Sequence, residues 1–338
     1  IDDAFTAALS AENNGCTLTL YKDCELSQNI VIGNATVTVD MNGHSILLAY
    51  RIKVNDGGVL YLKNSGENGS IETEIDVNKG GTLINGTADD SRSAVSVFGV
   101  TADAAKRVEI YGGSYEGLTV NNGTSGIALY GGSYESINTN DLTDSTPVSA
   151  LLAKGYAFAT LNSVTHLPES IVDGSETNLN PGLENVMVVA HTHTYTETNP
   201  KCACGAVLYA KVTSADGTSN KYFDSIEEGL LYADKAENKG CVFTLVARGL
   251  LKDKVTLSSG QFTIATATTD NTYVIGPYEG EITIDGADVI AEGDLAFRCN
   301  VCVESGSLTL PEGSGTGFDS IIISGGTVTI SEGVNADS

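Results

Sequence analysis

The chain has 338 residues, with 43 acidic against 18 basic side chains, a formal net charge of −25 and 41% hydrophobic residues. That length suggests about two domains, and the apolar share suffices for an extended core. The acidity argues against nucleic acid, which needs a basic face, and against docking on anionic lipid; no run approaches the ~18 apolar residues of a membrane helix.

No signal peptide is legible. The chain opens at Ile1 inside a helix start and stops in a repeat, so it reads as a fragment of something longer. Residues 2–12 read as a short helix, with Asp2 or Asp3 as its cap and Phe5, Ala8 and Leu9 on one apolar stripe. Asn13-Asn14-Gly15 ends it. Short strands follow. Their last inward residues recur at Ile32, Val54, Val77, Val97 and Val120, spaced 22, 23, 20 and 23. A second series starts at Val37, Val59, Val108 and Ile127. Tyr-Gly-Gly-Ser-Tyr-Glu occurs twice, from Tyr111 and from Tyr130.

A period near 20 residues with several short strands per period is a solenoid signature. One turn is too thin to bury its own apolar face. Turns stacked at the ~4.8 Å strand separation align Val, Ile and Leu into one core. The expected fold is therefore all-β, a right-handed parallel β-helix. Leucine-rich repeats have a similar period, but their Leu-x-x-Leu-x-Leu consensus is missing.

From Leu142 to Glu184 the pattern breaks. A helical turn near Ser149 stops at Gly155, and a polar loop begins at Asp173. Val186-Met-Val-Val then leads into the stretch His191–Gly205. There His191 and His193 are two apart, and so are Cys202 and Cys204. In an extended strand, residues i and i+2 share a face, so each pair presents two ligands on one side. The intervening Thr-Glu-Thr-Asn-Pro-Lys favours a turn through its Asn-Pro. Folding there gathers two imidazoles and two thiolates, a ligand set for structural zinc. Four protein ligands leave no open position for a substrate water, which favours folding over catalysis. The alternative is a polar hairpin with thiols and no metal.

After the hairpin the unit starts again. Glu12-Asn-Asn-Gly-Cys-Thr-Leu-Thr-Leu corresponds to Glu237-Asn-Lys-Gly-Cys-Val-Phe-Thr-Leu, offset by 225. Strand ends then fall at Ile264, Ile284, Leu310 and Ile330. The expected organisation is a first unit over 1–185, a His/Cys connector over 186–212 and a second unit over 213–338. A helix at each unit's start would cover the unpaired backbone and apolar core of the first rung. Seven cysteines is an odd number and shows no disulfide framework. Phe297, Cys299, Val301 and Val303 alternate as one inward face, so Cys302 points the other way. Cys16 and Cys241 precede equivalent strands as core residues.

The capping helix, Asn-Gly-Cys-Thr-Leu-Thr-Leu, Val-Asp-Met-Asn-Gly-His, Ser-Gly-Gly-Thr-Val-Thr-Ile, Leu-Leu-Ala-Lys-Gly-Tyr-Ala-Phe and the His-x-His/Cys-x-Cys-Gly hairpin carry a resemblance. Together they resemble the large repetitive surface proteins of gut Firmicutes, over nearly the whole chain. The resemblance implies a secreted, wall-attached, adhesin-like protein, one module of a longer monomeric chain. Some such proteins engage host proteins, including immunoglobulins.

Parallel β-helices also host polysaccharide lyases and hydrolases. Arg51-Ile-Lys resembles one short signature of polygalacturonase-like hydrolases, but the carboxylate motifs and the Gly-His-Gly of that family do not precede it. Arg51 and Lys53 read instead as outer-face residues. Asp89-Asp90 is the closest local carboxylate pair, in a polar loop, and His44 and His166 sit in a turn and a loop. No catalytic set is legible, nor a calcium loop. Tyr115 and Tyr134, 19 apart at matching places, should stack on adjacent rungs. Exposed, they form an aromatic platform for sugar or protein; buried, an internal ladder. The insertion Ala265–Gly280 carries Tyr273 and Tyr278, where solenoids recognise partners. The expected function is a noncatalytic adhesin module binding host protein or glycan. A polysaccharide-degrading enzyme and an inert stalk are the alternatives.

Overall fold

Strict alternation builds the coils. In strand Ser70–Val77, Ile71, Thr73, Ile75 and Val77 are buried while Glu72 faces water. Such a strand has one apolar face, and coils laid in register on each other bury it. The computed structural model describes residues 1–338 apart from 48–49, 122, 125, 140–147, 163, 174–181, 196–198, 248–250, 252, 268–272, 276–279, 294, 313–315 and 332–338. The chain is nearly all-β, with 51% strand and two α-helices among the described residues. Within each unit parallel coils stack as in a β-solenoid, about 13 turns in all. By contacts the chain divides into two compact units. One holds Ile1–His193 and Ala203–Gly205, the other Thr194–Cys202 and Ala206–Ser338.

In the first unit one parallel sheet runs through Thr17–Thr19, Thr36–Asp40, Val59–Lys63, Thr82–Asn85, Arg107–Ile110 and Ile127–Leu129. Val37, Leu60, Leu83, Val108 and Ile127 stand in one column across it. The second series therefore has a member, Thr82–Asn85, that its sequence disguises with a buried asparagine. Asn85 is satisfied in place: its amide donates to Val95 O at 2.7 Å, and its Oδ1 accepts from Val95 N at 2.8 Å.

A second parallel sheet runs through Cys24–Glu25, Ser45–Leu47, Ser70–Val77, Ser96–Ala102, Ser114–Val120 and Ser133–Asn138. Of two short strands, Ile52–Val54 pairs onto the far half of Ser70–Val77, and Ile30–Ile32 pairs onto Ile52–Val54. The expected column needs one correction. Ile32, Val54 and Val77 align, but the next members are Ala102 and Val120. Val97 stacks instead on Ile71 and Tyr115. From Ser70 onward one long strand spans two inward columns, and the small Ala102 hides the second from a pattern of large residues.

The parallel stack then changes. Leu183–Ala190 lies antiparallel on Ser133–Asn138, and Tyr156–Leu161 and Pro168–Ile171 follow antiparallel. This accounts for the pattern break after Leu142. At the other end, helix α1 (Asp2–Ala8) buries Phe5 and Ala8. Asp2 makes no cap. It lies in the helix, and its carboxylate accepts from Ser27 N and Ser27 Oγ at 3.1 and 2.7 Å.

In the second unit, Ala210–Thr213 pairs antiparallel with Asn220–Phe223 and with Val242–Leu245. Helix α2 (Ile226–Ala233) is capped by Ser225, whose Oγ accepts from Glu228 N at 3.2 Å, and it buries Ile226, Leu230 and Ala233. Parallel coils follow through Gln261–Thr266, Glu281–Ala291 and Leu295–Leu310. Here too the spacing misplaces one residue. Ile264 aligns with Ala291, whereas Ile284 stands with Leu257 and Val303. Phe297, Cys299, Val301 and Val303 are buried as expected, with Cys302 half-exposed on the other face.

Candidate metal centre

The strand Leu183–Ala190 delivers His191, whose N–H donates to Gly155 O at 2.8 Å. His191 and His193 hold their rings edge to face, with centroids 5.3 Å apart. Downstream the chain folds back on itself. Leu208 N donates to Pro200 O at 2.6 Å and Cys202 N to Ala206 O at 2.8 Å, with Lys201 bridged to Val207. Gly205 takes φ 88° in this turn, a conformation most side chains disfavour. The turn buries Cys202 and Cys204 while both histidines stay half-exposed. Residues 196–198 of the polar segment lie outside the described residues.

The four side chains that the spacing singled out meet. Their ligand atoms lie within 4.8 Å of one another, and Cys204 Sγ is 3.2 Å from His193 Nδ1. Zinc–sulfur and zinc–nitrogen bonds of about 2.3 and 2.0 Å at a tetrahedral angle separate two donors by about 3.5 Å. The donor set, two soft thiolates and two imidazoles, suits a metal of zinc's type. It could hold such an ion with four protein ligands.

The tyrosines fall differently. Tyr115 and Tyr134 pair in register and stack, with centroids 5.0 Å apart and planes 11° apart. They are 2% and 1% exposed, so they form the internal ladder and offer no platform to a ligand. Each hydroxyl donates to a backbone carbonyl, Gly112 O and Gly131 O, both at 3.0 Å. The backbone of Tyr273 lies in strand Tyr273–Ile275, paired with Leu295–Phe297. Tyr278 lies outside the described residues.

Sequence reasoning missed a second tyrosine row. Tyr111 and Tyr130 stack at 4.4 Å and 8°, half-exposed, and Tyr156 meets Tyr130 edge-on at 5.7 Å. The first tyrosine of the repeated hexapeptide was the available signal. Burial and the neighbouring Glu109 carboxylate push the Tyr111 phenol up to about 12.

The remaining candidates have local partners. Arg51 is on the outer face, paired with Glu74 and, at 2.9 Å, with Asp76. Asp90 accepts from Arg92 N at 3.1 Å, and His44 Nδ1 is 3.5 Å from Asp23. His166 is exposed in a loop at φ 54°. Among the described residues no disulfide forms, and no helix is long and apolar enough to cross a membrane.

Fold and site together define a β-solenoid that carries a His2Cys2 cluster. Compared with known proteins, the chain matches no family model, no curated protein and no solved structure.

Proposed function

We propose that the chain is a noncatalytic binding module of a bacterial cell-surface protein. It comprises two tandem right-handed β-helix units, each opened by a capping helix and linked in sequence by a zinc hairpin. It presents its surface to a host protein or glycan. The observation that carries this reading is the stacking of parallel coils in each unit, which displays repetitive sheet faces to solvent. Contacts at an offset of 225 support the tandem origin. Cys16 Sγ donates to Ala8 O and Cys241 Sγ to Ala233 O, both at 3.8 Å. Asn13 and Asn238 reach back to Ala7 O and Tyr232 O in the same way. The ligand set at His191, His193, Cys202 and Cys204 supports zinc in a folding role. A glycan array and immunoglobulin-binding assays on the chain test the binding half, and blanks in both reject it.

One observation favours polysaccharide degradation as a second reading. Glu116 and Glu135 lie side by side on neighbouring strands of an open groove. The ~4.8 Å strand separation is close to the ~5–5.5 Å carboxyl spacing of retaining glycosidases. Both side chains are exposed, without the apolar burial that sets a general acid apart from its partner. Reducing-sugar release from pectins, mucin and glycosaminoglycans decides it.

A further inference from the structure

The outer face of the first unit's second sheet holds a groove of about 580 Å3. A row of side chains crosses its floor from strand to strand. Glu135 lies beside Glu116, Phe98 beside Glu116, and Glu72 follows where the next strand shifts register. The three glutamates are exposed; among the described residues no lysine or arginine lines the groove, and His166 stands at its hairpin wall. Phe98 keeps 40% of its surface exposed between them.

A second hollow of about 230 Å3 shares Phe98 and Glu116 with the first and is floored by Gly99 and Gly117. Gly99 sits at the register shift against Ser70–Val77, a usual place for a strand glycine, whereas no shift touches Gly117. Neither has a positive φ. An added Cβ would meet Glu74 Cγ at 3.4 Å and Ser136 Oγ at 3.5 Å, ordinary contact distances. Gly117, a mid-strand glycine that neither a register shift nor packing demands, suits a place where another chain approaches closely. One wall of the groove is the hairpin of Tyr156–Leu161 and Pro168–Ile171, whose turn leaves Val164 84% and Leu167 62% exposed.

We propose that this groove binds an extended lysine- or arginine-bearing segment of a partner polypeptide. The inference rests on the binding-module reading but moves the contact from side loops to a sheet face. A carboxylate row with no lysine or arginine among its described lining residues, on a chain of net charge −25, is complementary to positive charge. Glu135 and Glu116 are one ~4.8 Å strand spacing apart and Glu72 lies two strands beyond Glu116, whereas alternate side chains of an extended peptide repeat at ~6.7 Å. Lysine and arginine stems are long and flexible enough to absorb that mismatch. Phe98 offers its face to a cation and to the aliphatic stem beneath it. The row Ser96, Ser114 and Ser133 runs alongside and supplies hydroxyls for peptide carbonyls and amides. A neutral glycan would leave the carboxylate charges uncompensated.

The test is fluorescence anisotropy of a labelled twelve-residue alternating Lys-Ser peptide, with its Glu-Ser counterpart and neutral β-linked oligosaccharides as comparison probes, on the whole chain. Saturable binding of the Lys-Ser peptide alone is expected, weakened roughly tenfold between about 50 and 300 mM salt. Glu116→Gln/Glu135→Gln should weaken it about tenfold or more, and Phe98→Ala about fivefold. Glu12→Gln/Asp56→Asn, with the same charge change at exposed sites away from the groove, should stay within about twofold. Thermal melting checks that all variants fold. Absence of saturable binding, equal losses in groove and control variants, or preference for the oligosaccharides overturns the proposal. The two readings fail separately. A blank peptide titration beside a positive glycan array or immunoglobulin assay removes the groove and leaves the module. The reverse pattern keeps the groove and removes that reading of the ligand.

Discussion

Tyr134 lies flat on Tyr115 inside the first unit, ring centroids 5.0 Å apart, one coil above the other. Both hydroxyls of the pair are hydrogen-bonded. Tyr134 donates to Gly131 O, and the Tyr115 hydroxyl is 2.5 Å from the amide of buried Asn85. Tyr134→Ala should cost about 3–5 kcal/mol, from lost burial and the cavity left behind. Tyr134→Phe keeps the stack, loses one hydrogen bond and should cost about 1 kcal/mol. Urea unfolding of the first unit, followed by tyrosine fluorescence, reads both.

The half-exposed row gives a pH prediction at the alkaline end. The folded Tyr111 phenol titrates near 12, above the ordinary value of about 10. A raised phenol favours the protonated, folded form. Its contribution is complete below pH ~10 and is lost as pH rises through about 12. In a phenolate-absorbance titration, the difference between the native chain and Tyr111→Phe should be centred near pH 12. A difference centred near 10 would contradict the assignment.

Asp40 contributes to the acid limb. Burial raises its carboxyl, but donors outweigh burial: Ser65 N and Oγ at 3.0 and 2.9 Å, Lys63 at 3.1 Å and Asn42 N at 3.1 Å. The net result lies below the ordinary aspartate value. A lowered carboxyl contributes stability that is complete above the unfolded value of ~3.9 and is lost as pH falls through the folded one. Asp40→Asn should therefore lower stability at pH 7 and flatten its loss below pH ~4. Denaturation midpoints across that range measure it.

Purified without chelator, the chain should carry one zinc ion. Cys202→Ser or Cys204→Ser should cut metal affinity at least about tenfold and lower the melting temperature, because binding a four-ligand site is coupled to local folding. Elemental analysis and melting with and without chelator check this. A chain that binds no transition metal would show the cluster to be a polar hairpin with thiols.

Stacking also leaves a mark on one glycine. A Cβ at Gly81 would sit 2.3 Å from Val54 O in the coil before it. Gly81→Ala should cost about 2–3 kcal/mol, whereas Gly99→Ala, with room for its methyl, should change stability by at most about 0.5 kcal/mol. Paired urea titrations of the two variants separate them.

Much of the site was legible for a local reason. His191, His193, Cys202 and Cys204 lie within one short stretch, and i, i+2 spacing says which atoms share a side before any fold is known. Tyr115 and Tyr134 were legible as a stack, because identical hexapeptides must fall in register. Their burial was not. Tyr111 and Tyr115 are four apart and would share a face in a straight strand. Gly113, at φ 88°, turns the chain between them, so one ring goes inside and the other stays half-exposed. The groove was invisible because Glu72, Phe98, Glu116 and Glu135 come from four different coils.

The sequence alone determined the stacked coils, the alternation that fills their core and the ligand chemistry at the His/Cys turn. Each follows from a period or spacing set along the chain. Only the tertiary structure decided that Ala102 takes the place expected of Val97, that Ile284 stands apart from Ile264, and which tyrosines meet water. Pairing between coils sets those outcomes, and a bulge or a left-handed glycine shifts it without changing the apolar pattern of either strand.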